Sequence, residues 1–287
     1  MSLPIYREVF ELHPNSDRNG IGHTGLWFER FFSAYTVDDN GDWQLAKSDR
    51  DNDPLRAWLK TFTRAGNDGA LQRTALDQLD LCDALCGTAS IFKTTWRFVT
   101  GMGYPHPIEN GLAWHPTLGV PYLTGAAVKG LGRTWMEDWA FEESQDEEKR
   151  QRLLSWFGSD HKEPKYREEN VRVGKFIFFD ALPVKPVSLV TDIMTPHMGK
   201  WYEQGGNINN IADEPEKVPA DWHDPRPITF LVVKEAVFLF TIAVRPNADV
   251  EDSAEELSEV MEALQNALEW LGAGAKTAVG YGQMEMD

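Results

Sequence analysis

Lys276 and Thr277 stand side by side in GAGAKTAVGYG, a run from Gly272 to Gly282 that also holds Gly274, Gly280 and Tyr281. An ammonium and a hydroxyl flanked by glycines are the parts of a phosphate cradle, because glycine lets backbone N–H groups approach an anion closely. The surroundings argue against a nucleotide-hydrolysing loop. Such a loop follows a strand, opens a helix and carries glycine directly before its lysine. Here a helical pattern precedes the loop, a strand-like pattern follows it, and Ala275 precedes Lys276. The dinucleotide-binding pattern fails too, since Thr277 takes the place of its third glycine.

A second set lies in GVPYLTGAAVKGLGRTW, where Gly125, Lys129 and Arg133 recur every four residues on one helical face. Like charges at that spacing oppose an isolated helix mildly. Gly130 and Gly132 each cost roughly 1 kcal/mol against alanine in a helix interior. Two readings stay open: a helix presenting its N-terminus and basic face to an anion, or glycines that permit tight packing on a sheet. The residues able to act as general acids or bases are His115, His197, His223, Asp180 and Asp192. Asp192, His197 and His223 also compose a conceivable metal set, without the close His–x–His or HExxH spacing that would make one. Isolated residues of these types more often cap turns than catalyse, so binding outranks catalysis. No cofactor or metal is expected.

The elements that must position these residues belong to a globular chain. Of its 287 residues, 42% are hydrophobic and 25% charged, and the mean hydropathy is −0.42. The net charge of −17 excludes an indiscriminate nucleic-acid coat but not a local site. Acids gather at Glu137–Glu148, Asp213–Asp224 and Asp249–Glu262. From Ser90 to Arg133, by contrast, Lys93, Arg97, Lys129 and Arg133 face Glu109 alone, with His106 and His115 in addition. The longest apolar run, ITFLVVKEAVFLFTIAV, is broken by Lys234 and Glu235 and reads as a hairpin, not a membrane span. MSLPIYREVF lacks the regions of a signal peptide, and Cys82 and Cys86 build neither a disulfide framework nor a metal quartet. A cytoplasmic protein without membrane association is expected.

Residues 1–88 read as a mainly helical extension, with 3.6-residue periodicity in DPLRAWLKTFTRAG and ALQRTALDQLDLCDALCG and a stop at Gly87. Residues 89–287 read as one α+β domain. IFKTTWRFVTG alternates as a strand with Phe92, Thr94, Trp96 and Phe98 on one side. A helix opens at Thr124 and buries Val128, Leu131, Trp135 and Trp139. KFIFFDALPV, PVSLVTDIM, ITFLVV and AVFLFTIAVR follow as strands, with an insertion at about 183–228. The last helix starts from a Ser253/Glu256 capping box and carries Ala254, Leu257, Val260, Met261, Leu264, Leu268 and Leu271 on its apolar stripe. TAVGYGQMEM closes the chain as a strand. This is a βαββαβ order, the ferredoxin-like or RRM-like plan, with the insertion between its halves. In it the N-terminus of the first helix and the loop after the last helix form two walls of one groove.

GAGAKTAVGYG behind the last helix resembles the signature of the RAMP superfamily of CRISPR-associated proteins. The resemblance extends to the family of subunit six of type III-B (Cmr) effector complexes. It is carried, in order, by GLWFERFF, TTWRFVTGMG, PIENGLAWHPTLGVPYLTGAAVKG, GKFIFFDALPV, VTDIMTPHMGKWY and PADWHDPRPITFLVV. LTGAAVKG departs from the family, which has a proline and serines around that glycine, so Ala126 and Ala127 offer backbone N–H groups only. The resemblance implies a non-catalytic subunit near the 3′ side of a guide RNA (crRNA), beside the repeating backbone subunit and a neighbouring capping subunit, with target RNA as a further partner. The expected RNA contacts are Arg97, Gly125, Ala126, Lys129, Arg133, Gly272, Gly274, Lys276, Thr277 and Tyr281. It also implies an inserted β-hairpin thumb, with Met194, His197, Met198, Trp201 and Tyr202 meeting bases. The alternative is a RAMP-type endoribonuclease that cleaves guide or target RNA.

Overall fold

The computed structural model describes residues 22–47, 53–140, 147–159, 172–196, 198–204, 215–218, 225–246 and 253–287. In chain order its elements are α1 (Thr24–Arg30), β1 (Tyr35–Val37), β2 (Trp43–Leu45), α2 (Pro54–Leu59), β3 (Arg64–Ala65), α3 (Asp68–Ala84), β4 (Thr88–Thr94) and α4 (Gly125–Trp135). Then come α5 (Glu147–Phe157), β5 (Phe176–Phe178), β6 (Leu182–Pro183), β7 (Val187–Met194), α6 (Gly199–Gln204), β8 (Ile228–Glu235), β9 (Val237–Val244), α7 (Ser253–Trp270) and β10 (Met284–Met286).

The architecture is mixed α+β with antiparallel sheets. One sheet has the order β10-β4-β9-β5, all neighbours antiparallel, with β6 pairing further along β9. Every residue of β9 is buried, which requires cover on both faces because side chains alternate. From one side α3 reaches in, where Gln78 donates to the Thr241 hydroxyl at 2.6 Å. Helices α4 and α7 pack against each other and on the sheet. The second sheet, β3-β7-β8, is built on the β7–β8 pair, from Met194↔Ile228 to Leu189↔Val233. One continuous apolar core runs under both, with Phe92, Phe98, Phe230, Phe238 and Phe240 buried.

Several sequence-based expectations are corrected by this packing. The strand begins at Thr88 and stops at Thr94, because the chain then bends and leaves the first sheet. Phe98 pairs with Val233 of the second sheet, so Phe92 and Phe98 are buried while Trp96, at the bend, is 53% exposed. Trp139 is exposed, since a π-helical turn, Met136–Ala140, replaces the α-helical register that would have buried it. Ala254 is exposed as well, and Glu256 of the expected capping box is ion-paired with Lys175. The closing strand is Met284–Met286 only, and Thr277–Val279 forms a 3₁₀ turn. At the end of α3 the left-handed residue is Cys86, not Gly87. Gly87 is needed for space: a Cβ there would lie 2.5 Å from the Cys82 sulfur and 2.6 Å from the Ile242 carbonyl.

Candidate nucleic-acid interface

The glycine-rich loop is held by backbone bonds to the segment that crosses between the sheets. Ala275 N–H donates to the Val99 carbonyl at 2.8 Å and Gly282 N–H to the Arg97 carbonyl at 2.7 Å. Gly274 has a positive φ of 87°, and a Cβ on it would lie 2.3 Å from the Val99 oxygen. Gly282 is tighter still, at 1.9 Å from the Ala273 carbonyl. These glycines serve close backbone approach. Lys276 itself is left-handed, and its ammonium lies 5.7 Å from the Phe230 ring centre and 5.8 Å from that of Tyr281.

Across from this loop, α4 supplies the second wall of a groove of about 610 Å³. The helix contributes Ala127, Gly130, Leu131 and Thr134, the loop Gly272, Gly274 and Thr277, and the floor includes Thr100 and Gly103. The expected pairing of the two glycine-rich regions across one groove is therefore present. The expected basic face is not on it. At 100° per residue, Lys129 and Arg133 lie on a different side of α4 from Ala127, Gly130 and Thr134. Gly125 also stands off the groove.

The readings of the α4 glycines now separate. Gly125 is a packing glycine: a Cβ would lie 2.1 Å from the Phe178 carbonyl. Gly130 is not, since nothing lies within 4 Å of the Cβ position, and its bare backbone forms groove wall. The N-terminus of α4 is capped from within. Thr124 Oγ1 accepts from Ala127 N–H at 3.2 Å, as the sequence pattern predicts, and Asp180 accepts from Gly125 N–H at 2.7 Å. Asp180 reaches it because it sits in the break between β5 and β6. Ala126 is exposed on the first turn.

The cations are placed unevenly. Arg133 donates to Glu137 at 2.5 Å and to the Gly158 carbonyl at 3.2 Å. Lys129 has no carboxylate partner among the described residues; partial burial, then the nearby Arg133 and Arg245, push its pKa down. Arg97 is ion-paired with Asp192, which also accepts from the Tyr281 hydroxyl. Burial by itself would raise the Asp192 pKa, but the bonds from Arg97 and Tyr281 hold it below the usual carboxylate range. The bond to Asp192 raises the Arg97 pKa; burial, followed by that same carboxylate, raises that of Tyr281.

Two further histidines, one of them the candidate His115, are structural. His106 stacks on Phe28 at 4.3 Å and bonds the Phe28 carbonyl at 2.9 Å, and burial lowers its pKa. His115 Nδ1 lies 3.2 Å from the Leu118 N–H, and burial lowers its pKa too. His197 and His223 lie outside the described residues, so their distance to Asp192 is not defined. Among the described residues, no group of three His, Cys, Asp or Glu side chains is arranged to hold a metal. Of the residues assigned to the thumb, Met194 ends β7 and packs partly against the core. Met198 precedes α6, on which Trp201 and Tyr202 are exposed, Tyr202 by 75%.

The RAMP superfamily profile matches residues 91–285, more than half of the chain and the whole span that carries both groove walls. The chain belongs to the RAMP superfamily. Among RAMP proteins it is similar to the CRISPR system Cmr subunit Cmr6 of Pyrococcus furiosus, with 31% identity over 72% of this chain and 70% of that one. It is also similar to Cmr6 of Saccharolobus solfataricus, with 25% identity over 62% of this chain and 49% of that one. Its RAMP fold matches a chain in the cryo-EM structure of the type III-B Cmr-beta complex bound to cognate target RNA. The TM-score is 0.57 at 21% identity, covering 84% of this chain and 77% of the other. No helix among the described residues is long and apolar enough to cross a membrane.

Sequence reasoning found the loop and the helix but missed the wall residues Ala127, Gly130, Leu131 and Thr134. Their 3–4 spacing of small and apolar residues was the available signal, overshadowed by the charges beside it.

Proposed function

We propose that this chain is a non-catalytic guide-RNA (crRNA)-binding and capping subunit of a type III-B CRISPR RNA-targeting effector complex, near the 3′ side of the guide. The observation that carries this reading is the groove between the glycine-rich loop and the small-residue face of α4. Its lining sets the Thr100, Thr134 and Thr277 hydroxyls beside bare glycine backbone and holds no carboxylate, which suits a phosphodiester backbone read by position. The similarity to Cmr6 supports it. The first sheet, with its strand order β10-β4-β9-β5 and crossing helices α4 and α7, is read as a ferredoxin-like core, residues 1–88 as an extension on it, and β7, α6 and β8 as the thumb region.

Within this reading Gly274 and Thr277 hold phosphates in the groove, Gly272, whose N–H bonds the Ala267 carbonyl, shapes its wall, and Lys276 stands at its rim. Lys129, beside Arg133 and Arg245, offers charge to a strand passing over the outer side of α4. Arg97 and Tyr281 act indirectly, by anchoring the loop through Asp192. Trp201 and Tyr202 offer faces for stacking. The endoribonuclease alternative is disfavoured by Asp192, whose carboxylate is taken up by two bonds instead of standing ready as a base.

The experiment is reconstitution of the effector complex with wild-type or variant protein, measuring guide-RNA retention against salt and cleavage of target RNA. Lys276→Glu and Gly130→Met are expected to weaken retention. For every phosphate that a variant no longer neutralises, the salt slope should fall by about 0.7. A variant combining His197→Ala and His223→Ala, which leaves the Asp192 anchor intact, is expected to cleave target normally. Loss of cleavage in that variant, with unaltered retention in the others, would make the chain an enzyme and defeat the proposal.

A further inference from the structure

At the corner where the two sheets meet lies a cleft of about 410 Å³ that the groove does not include. Its lining is drawn from four distant stretches: Arg64 on β3, Lys93 at the end of β4, Lys185 to Ser188 entering β7, and Glu235 at the end of β8. The backbone creates it. Val184 N–H bonds the Val237 carbonyl in the first sheet and Leu189 N–H the Thr63 carbonyl in the second, so residues 184–189 cross between sheets. The β7–β8 ladder is irregular at Ser188/Leu189, where that crossing ends.

Three cations converge there on a molecule whose net charge is −17. Lys185 is exposed and has no acidic partner among the described residues. Lys93 meets Glu285 at 3.2 Å and Asp287 at 3.8 Å, but all three side chains are 43–55% exposed, and such pairs are weak. The one carboxylate of the lining, Glu235, has Lys234 at 3.5 Å. The lining thus carries three cations against one carboxylate, and Lys185 is the charge most open to an incoming anion.

A single chain segment runs from the cleft to the groove. Thr94 lines the cleft and Thr100 lines the groove, so six residues of one chain segment join them, a span of at most about 22 Å. Between them stands Trp96, 53% exposed, with the Arg97 guanidinium 5.3 Å from its ring centre. An exposed aromatic face beside a cation-lined cleft matches a base and its neighbouring phosphates better than the side chains of an acidic peptide.

The geometry points to the inter-sheet cleft as a second phosphate-binding site, which takes the continuation of the RNA strand that leaves the groove past Trp96. This rests on the groove reading above and adds a track to it. Lys185, Lys93 and Arg64 neutralise backbone phosphates, the Ser188 hydroxyl donates to them, and Trp96 stacks on a base between the two sites.

The test uses the full-length chain and oligouridines of 5 and 15 nucleotides, with affinity measured across salt concentrations. The wild-type chain should bind the 15-mer more tightly than the 5-mer. Lys185→Glu with Arg64→Glu, and separately Trp96→Ala, should remove at least five-fold of that advantage. The charge variant should also flatten the salt slope by about 0.7 per phosphate. Thermal melts of these surface variants verify folding. If the variants keep the full 15-mer affinity while Gly130→Met weakens both lengths, the second site is wrong and the groove reading stands. If the wild-type chain binds neither length, both fall. If RNA binding is untouched but the charge variant alone loses a polyglutamate peptide, the cleft is a protein-docking site and the RNA assignment is overturned.

Discussion

Tyr281 donates its phenolic hydrogen to the Asp192 carboxylate, 89 residues away in sequence, and Arg97 bonds the same oxygen. One carboxylate thus ties the glycine-rich loop, the segment crossing between the sheets, and β7. The loop's shape depends on this tie as much as on its glycines. A residue suited by type to catalysis is occupied in holding a binding loop.

Asp192→Asn should destabilise the protein by about 1–3 kcal/mol, because it removes a charge that two partly buried donors share. Thermal unfolding should show this as a lower midpoint. The folded pKa of Asp192 is depressed, so its contribution is full above the ordinary value of 3.8 and is lost as pH falls through the folded value. The wild-type and Asp192→Asn stabilities should converge in that acid range. Parallel curves would refute the linkage.

Gly282→Ala and Gly280→Ala should differ sharply. Both glycines have positive φ, 75° and 86°, so both substitutions carry the left-handed penalty of roughly 1–2 kcal/mol. Only at Gly282 would the new Cβ also strike backbone, at 1.9 Å from the Ala273 oxygen, whereas Gly280 has open space around it. Urea titrations should place Gly282→Ala well below Gly280→Ala.

Gly130 offers a separation of stability from binding. Alanine fits the open space and should stabilise α4 by up to about 1 kcal/mol. A longer side chain such as methionine should stay folded yet fill the groove, lowering RNA affinity. Equal RNA binding by Gly130→Met and wild type would remove the groove from the interface.

His106 should make the fold sensitive to mild acid. Burial depresses its folded pKa below the ordinary 6.5. Its neutral form therefore contributes fully above pH 6.5, and that contribution is lost as pH falls through the folded value. His115, also depressed, acts in the same direction. His106→Phe, which retains an aromatic ring beside Phe28 and cannot titrate, should flatten the dependence of melting temperature on pH between 7 and 5.

Much of this molecule is written in local pattern. The short apolar runs ITFLVV and AVFLFTIAVR, the Thr124 cap, the 3.6-residue stripe of α7 and the glycines of the last loop are short-range signals, because backbone geometry and side-chain periodicity act over a few residues. The order of elements and the pairing of the two glycine-rich regions across a groove follow from them. What tertiary structure decided was direction. Trp96 is exposed because the chain changes sheets beside it, and Trp139 because a π-turn rotates it out. Gly125 is spent on the Phe178 carbonyl while Gly130 is left open. Arg97 and Asp192 find each other across 95 residues, and Arg64, Lys93 and Lys185 meet at a corner where two sheets join. No periodicity encodes such meetings; they arise when distant strands are brought together by burial of a shared core.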